Sequence, residues 1–162
     1  MATYNQQMQA LFARYLDEVS DDPVDLNAVG QWAIRQGLWK LHPSDVLSRF
    51  REQMARALRE EYRTDAQGRR YRAKHAVLEK SNEGKQMSLW ADIDTAPRPH
   101  MVKAFAQRRK QIVGDCYQLR QDVDHYNDAN PNGEPIQLVL DFTDDVEERY
   151  IESGIGNIDE AA

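Results

Sequence analysis

The sequence predicts a mainly α protein with a small β-hairpin (α+β), followed by a long C-terminal helix, a short strand and an acidic tail. Three observations predict this fold class. Apolar residues recur at helical spacing in four segments. Between the third and fourth segments the hydrophobic period changes to two, which is typical of strands. The charge is also unevenly placed along the 162 residues, a length that most simply forms one domain with appendages.

Three helices are expected before residue 64. Asp25 can cap the second helix, and Gly37 can end it in a left-handed turn. Pro43 fits the start of a third helix, over 43–63, because its missing N–H costs nothing there. The apolar stripes of the three helices contain Tyr4, Met8, Leu11, Phe12, Tyr15 and Val19, then Leu26, Val29, Trp32, Ala33 and Leu38, then Val46, Phe50, Met54, Leu58 and Tyr62.

Residues 62–77, YRTDAQGRRYRAKHAV, predict a β-hairpin with one continuous return strand. Gly68 can supply the positive φ that such a turn needs. These elements are assigned to a first domain, 1–85. The following segment, 86–99, ends in the proline-containing DTAPRPH and is expected to be a linker.

Residues 100–127 have apolar side chains on alternating steps of four and three, as in a coiled coil. The segment IQLVLDF, 136–142, alternates like a strand, so 100–142 is expected to hold the long helix and a short strand. The last segment, 143–162, is acidic and is expected to be a flexible tail.

The net charge of −6 hides four blocks of different sign. Residues 1–34 carry −4, 35–85 carry +6, 86–120 carry +3 and 121–162 carry −11. A basic middle between acidic ends indicates a centre that binds a polyanion, beside an acidic tail. The bland alternative is a solvated basic face that binds nothing.

Three helices with a short connection before the third, followed by a basic hairpin, resemble the winged-helix DNA-binding domains over residues 4–80. The resemblance implies that helix 43–63 enters the major groove and that the hairpin 62–77 is a wing along the DNA backbone. The DNA-contacting residues expected on these two elements are Ser44, Ser48, Arg49, Arg51, Arg56, Arg63, Arg69, Arg70, Arg72 and Lys74.

Two short peptides resemble the motifs by which bacterial replication and repair proteins bind the sliding clamp. They are QMSLW, 86–90, and QLVLDF, 137–142. The resemblance implies partner contacts from Gln86, Leu89, Trp90, Gln137, Leu138, Leu140 and Phe142. The structural alternative is that both peptides simply cover a core.

The sequence offers little for catalysis or cofactor binding. It has no Gly-rich phosphate loop, its histidines are scattered, and Cys116 has no second cysteine to pair with. No apolar run approaches the length that spans a bilayer. We therefore expect a cytoplasmic protein with no catalytic residues, no cofactor, no metal and no membrane association.

The expected function is that of a non-enzymatic DNA-binding protein, such as a small regulator. Helix 100–127 would either form a homodimer or brace the first helix. One alternative is a protein-interaction module that uses the helices and the acidic tail. Another is a DNA-processing accessory protein recruited by a sliding clamp.

Overall fold

The computed structural model describes residues 2–20 and 23–154, and it confirms the α+β fold class with a long helix. Within these residues there are five helices and two antiparallel hairpins. The chain divides into two compact units, Met1–Glu52 and Gln53–Ala162. The elements in chain order are α1 Tyr4–Glu18, α2 Leu26–Arg35, α3 Asp45–Arg59, β1 Tyr62–Thr64, β2 Arg70–Arg72, β3 Lys74–Lys80, β4 Gln86–Asp92, α4 Arg98–Ala129 and α5 Thr143–Glu152.

In the first unit, α1 and α2 pack through a small core. Thr3 and Gln6 form a reciprocal capping box at the start of α1. The rings of Tyr15 and Trp32 meet edge to face, with centroids 5.4 Å apart. Tyr15, Val29 and Ala33 are buried. As expected, Asp25 caps α2, and Gly37 follows it with a φ of +66°.

The apolar stripe of α3 is exposed. Val46, Phe50 and Met54 keep 62%, 56% and 44% of their accessible surface, and no residue of α3 is buried. The third stripe therefore exists as a helical pattern but contributes little to the core.

In the second unit, the predicted hairpin forms but is shorter than expected. β1 pairs with β2, from Tyr62 opposite Arg72 to Thr64 opposite Arg70. Gly68 has a φ of +79° in the turn. The return strand is not continuous, because it is interrupted at the fully buried Ala73. The chain then continues as β3, which belongs to a second sheet.

The prediction of a linker at 86–99 is wrong over the first half of that segment. Residues Gln86–Asp92 form β4, which pairs along the whole of β3. The turn between them uses Gly84 at a φ of +76°. A boundary after residue 85 would therefore cut a hairpin. Polar and apolar side chains alternate from Gln86 to Leu89, which is typical of a strand, and β3 supplies the partner with which this segment pairs.

Helix α4 packs beside β3 and builds the core of the second unit. Met101 and Ala104 on α4 are buried, as is Val77 on β3. The side-chain amide of Gln107 donates to the backbone carbonyl of Leu78 (3.0 Å) and accepts from its N–H (2.8 Å). These two bonds attach the helix to the open edge of β3.

The short strand expected at 136–142 is absent from the described part of the chain. Residues 134–142 have no regular secondary structure. The Asn127 side chain instead binds both backbone groups of Ile136, at 2.9 Å each. Leu138 and Leu140 are half-buried without a partner strand. The period-two pattern therefore places Leu138 and Leu140 in partly buried positions, but the segment does not pair as a strand.

The tail expected to be flexible begins with a helix, α5. The Asp141 carboxylate accepts from the N–H and hydroxyl of Thr143, which fixes the first turn. Asp144 and Asp145 then stabilise the positive end of the helix dipole. The rest of that prediction, 155–162, lies outside the described residues.

None of the helices in the described ranges has the length and apolar character needed to cross a membrane.

Candidate functional site

The basic residues of the predicted wing fall into two sets, and the first set is bound to carboxylates. Arg63 forms 2.6 Å ion pairs with Asp92 and Asp94, and Lys74 pairs with Asp92 at 2.8 Å. The hydrogen bonds from Arg63 and Lys74 hold the pKa of Asp92 well below its usual range. The positive charges of Arg63 and Lys74 are therefore neutralised by carboxylates within this unit.

Arg69 belongs to the same set. Its guanidinium pairs with Asp65 at 2.8 Å, and its backbone N–H donates to the same carboxylate. Asp65 thereby closes the hairpin turn. Three of the ten predicted DNA contacts, Arg63, Arg69 and Lys74, thus have acidic partners within this unit.

The second set, Arg70 and Arg72, has no such partners, and Arg59 and Arg108 from outside the wing share this property. Arg59, Arg70, Arg72 and Arg108 form no ion pair within the described residues. They come from α3, β2 and α4, so they are distant in sequence. The fold brings these guanidinium groups towards one another, and within the described residues none of them is ion-paired with a carboxylate.

Two aromatic rings lie among these arginines. The guanidinium of Arg70 lies 4.0 Å from the centre of the Tyr62 ring, and Arg72 donates to the Tyr62 hydroxyl at 3.3 Å. The guanidinium of Arg59 lies 5.7 Å from the centre of the Trp90 ring. Each of these two rings therefore has a guanidinium over one face.

Arg59, Arg72, Arg108 and Trp90 line one cleft, which we call the arginine cleft. It has a volume of about 410 Å³ and lies between the β3–β4 sheet and α4. Polar side chains from both elements complete its wall, including Lys74, Ser88, Gln107 and Gln111. Asp115 is the acidic side chain that lines it within the described residues.

The electrostatics of this surface favour an incoming anion. The hydrogen bond and charge of Arg72, with the charges of Arg70 and Arg108, lower the pKa of the Tyr62 hydroxyl. Loss of water and repulsion from Arg72 lower the pKa of Arg108. A bound anion would relieve this repulsion between like charges.

The contacts predicted on helix 43–63 are divided between the two units, and Ser44 precedes α3, which begins at Asp45. Ser44, Ser48, Arg49 and Arg51 belong to the first unit, whereas Arg56 belongs to the second. The hydroxyl of Ser44 lies 2.7 Å from the His42 ring, and that of Ser48 accepts from Arg51. Of the ten predicted residues, the structure brings Arg72 and Lys74 to the arginine cleft.

The two peptides that resemble clamp ligands differ in structure. Gln86, Leu89 and Trp90 are part of β4 and are paired with β3. The second peptide lies in the irregular segment after α4, where Gln137 and Phe142 are exposed and Leu138 and Leu140 are half-buried. The second peptide is thus free of strand pairing, and the first is not.

Helix α5 lies beside the wing. Its residues Val146, Arg149 and Tyr150 line a cavity of about 270 Å³ together with Arg69 and Arg70. The acidic C-terminal region therefore begins next to the basic hairpin.

Sequence reasoning missed Arg59 and Arg108 as site residues and assigned Trp90 to another role. A signal for Arg108 exists in the run Arg108–Arg109–Lys110, which interrupts the apolar pattern of the long helix. The pairing of β3 with β4, which brings Trp90 to the cleft, has no comparable signal in the charge pattern.

No metal-binding group emerges from the described ranges, where no three His, Cys, Asp or Glu side chains are suitably grouped. The chain matches no protein-family model, no curated protein and no solved structure.

Proposed function

We propose that this protein is a non-enzymatic DNA-binding protein whose second unit holds phosphates in the arginine cleft. The observation that carries this proposal is the group of arginines on β2, α3 and α4 that have no carboxylate partner. An ordinary solvated surface carries interleaved charges of both signs. A group of like charges on rigid elements is instead the arrangement that binds a polyanion.

Arginine is well suited to this role. Its planar guanidinium can bind two phosphate oxygens at once and stays charged at any physiological pH. Arg72 and Arg108 line the same cleft although they come from β2 and α4, so one polyanion can contact both. Arg70 extends the same positive surface along the hairpin.

The test is a titration of fluorescein-labelled DNA by anisotropy over a series of salt concentrations. The double variant Arg72→Ala/Arg108→Ala removes two phosphate contacts. Each phosphate contact contributes about 0.7 to 0.9 to the slope of log affinity against log salt concentration. The magnitude of that slope should therefore fall by about 1.4 to 1.8 in the double variant. Its affinity should fall most at low salt.

The matched control is Arg69→Ala/Lys103→Ala. It changes the net charge by the same amount but removes bases that are paired, with Asp65 and Glu79 respectively. It should keep most of the salt slope. If both double variants lost the same DNA affinity and salt slope, the effect would be explained by net charge alone. Absence of DNA binding by the native protein would refute the proposal.

A protein-interaction function is the second candidate, and a groove in the first unit favours it. Met8, Phe12, Leu26, Ile34 and Trp39 line an apolar cavity of about 630 Å³. Apolar surface of this kind is typical of protein-binding sites. Capture of a bacterial sliding clamp through 137–142, lost in Leu138→Ala/Leu140→Ala, would support the clamp-recruited version.

A further inference from the structure

We propose that the arginine cleft takes single-stranded nucleic acid, with one base stacked on Trp90 and the flanking phosphates on Arg59, Arg72 and Arg108. This inference rests on the proposed DNA-binding function and names the form of the ligand. It follows from the composition, the size and the free polar groups of the cleft.

The composition of the cleft is that of a stacking site. Trp90 is half-buried, so part of its ring remains accessible. Arg59 lies over the ring at 5.7 Å, a separation at which the guanidinium covers it loosely. Opposite Trp90 on the neighbouring strand is Ala76, whose small side chain leaves room beside the indole. A basic groove with an aromatic platform is how single strands are bound.

The cleft is too small to take in the stacked base pairs of a DNA duplex. Its volume of about 410 Å³ lies in the range, roughly 300–1,000 Å³, of pockets that enclose small ligands. A nucleotide fits such a space. Bases within a duplex are stacked on one another and are not accessible to Trp90 unless they are flipped out. A duplex would therefore contact only the rim.

Free hydrogen-bonding groups stand beside the ring. Ser88 and Gln111 line the cleft, and neither side chain has a hydrogen-bond partner within the described residues. A hydroxyl and a carboxamide can donate to or accept from the edge of an unpaired base. An acidic peptide would pair with the arginines but has no planar base to stack on Trp90.

The experiment compares four probes on the full chain: a deoxythymidine decamer, an abasic decamer with the same backbone, a duplex decamer and poly-glutamate. The thymidine decamer should bind about tenfold or more tightly than the abasic one, because base–aromatic stacking contributes roughly 1–3 kcal/mol per base. It should also quench tryptophan fluorescence, and Trp90→Phe should remove most of that quenching.

The variant Trp90→Leu keeps an apolar side chain without a ring. It should lose about tenfold in affinity for the thymidine decamer and nothing for the abasic decamer. If Trp90→Leu fails to fold, the quenching difference between the native protein and Trp90→Phe carries the test.

The outcomes separate the two proposals. Equal binding of the thymidine and abasic decamers, or tighter binding of the duplex, overturns stacking but keeps DNA binding through phosphates. Poly-glutamate binding as tightly as the thymidine decamer overturns the nucleic-acid ligand in favour of an acidic protein. Failure of every DNA probe to bind overturns both proposals.

Discussion

The attachment of α4 to β3 in the second unit can be tested by substituting Gln107. Its side chain makes two hydrogen bonds to Leu78, one to the N–H and one to the carbonyl. A single net hydrogen bond contributes about 0.5–1.5 kcal/mol to stability. Because water can reach this site, the lower half of that range applies, and Gln107→Ala should reduce the free energy of unfolding by about 1–2 kcal/mol.

The assay is urea unfolding followed by circular dichroism, with amide hydrogen exchange at Leu78 as the local measurement. Gln111→Ala is the matched control, since Gln111 is one helical turn away on α4 and its side chain makes no hydrogen bond within the described residues. The amide of Leu78 should exchange faster in Gln107→Ala alone. Equal stability and equal exchange in the two variants would refute the attachment of α4 to β3 by Gln107.

Gln107→Glu gives an independent check on the same two bonds. The ionised carboxylate can accept from the Leu78 N–H but cannot donate to the carbonyl. Its loss of stability should therefore be about half that of Gln107→Ala at neutral pH. Protonation at acidic pH restores a donor, so the difference from the native protein should shrink there. A loss that does not change with pH would contradict this geometry.

Three further predictions concern the pH response, the long helix and the acidic region. Burial lowers the pKa of His75, so the unfolded chain binds a proton more readily than the folded protein does. Stability should therefore fall as the pH drops from 7 towards 5. In thermal melts, His75→Gln should reduce this dependence of the melting temperature on pH. If α4 forms a homodimer, light scattering should show a dimer for the native protein and a folded monomer for Leu119→Asp, whereas loss of the fold in Leu119→Asp would favour an intramolecular brace. Truncation after residue 142 removes α5 and shifts the net charge from −6 to about neutral, so DNA binding at low salt should strengthen. Equal low-salt affinity for the truncated and full chains would mean that this region does not shield the wing.

Helical periodicity and capping signals could be predicted from the sequence because they are local. Asp25 caps the start of α2 with its carboxylate, and Gly37 follows the end of α2 because a residue without a Cβ readily adopts a positive φ. Gly68 forms the first hairpin turn for the same reason. The long helix is also encoded locally, and the structure extends it by two residues at each end, to Arg98–Ala129. These features depend on neighbours within a few positions.

Strand pairing was predicted less well because a strand is defined by a partner elsewhere in the chain. QMSLWAD and IQLVLDF both contain short stretches that alternate polar and apolar side chains, yet the first pairs with β3 and the second pairs with no strand in the described residues. What differs is the partner. β3 offers β4 a full edge, while the backbone of Ile136 is already held by Asn127.

The sequence by itself determined that positive charge is concentrated between residues 35 and 120, since composition does not depend on folding. Only the tertiary structure decided which of those charges remain available. Asp92 and Asp94, distant in sequence from Arg63, neutralise it once β4 lies against β3. The same pairing brings Trp90 beside Arg59. Ion pairs act over a few ångströms, so the free and the bound arginines become distinct only when the chain has folded.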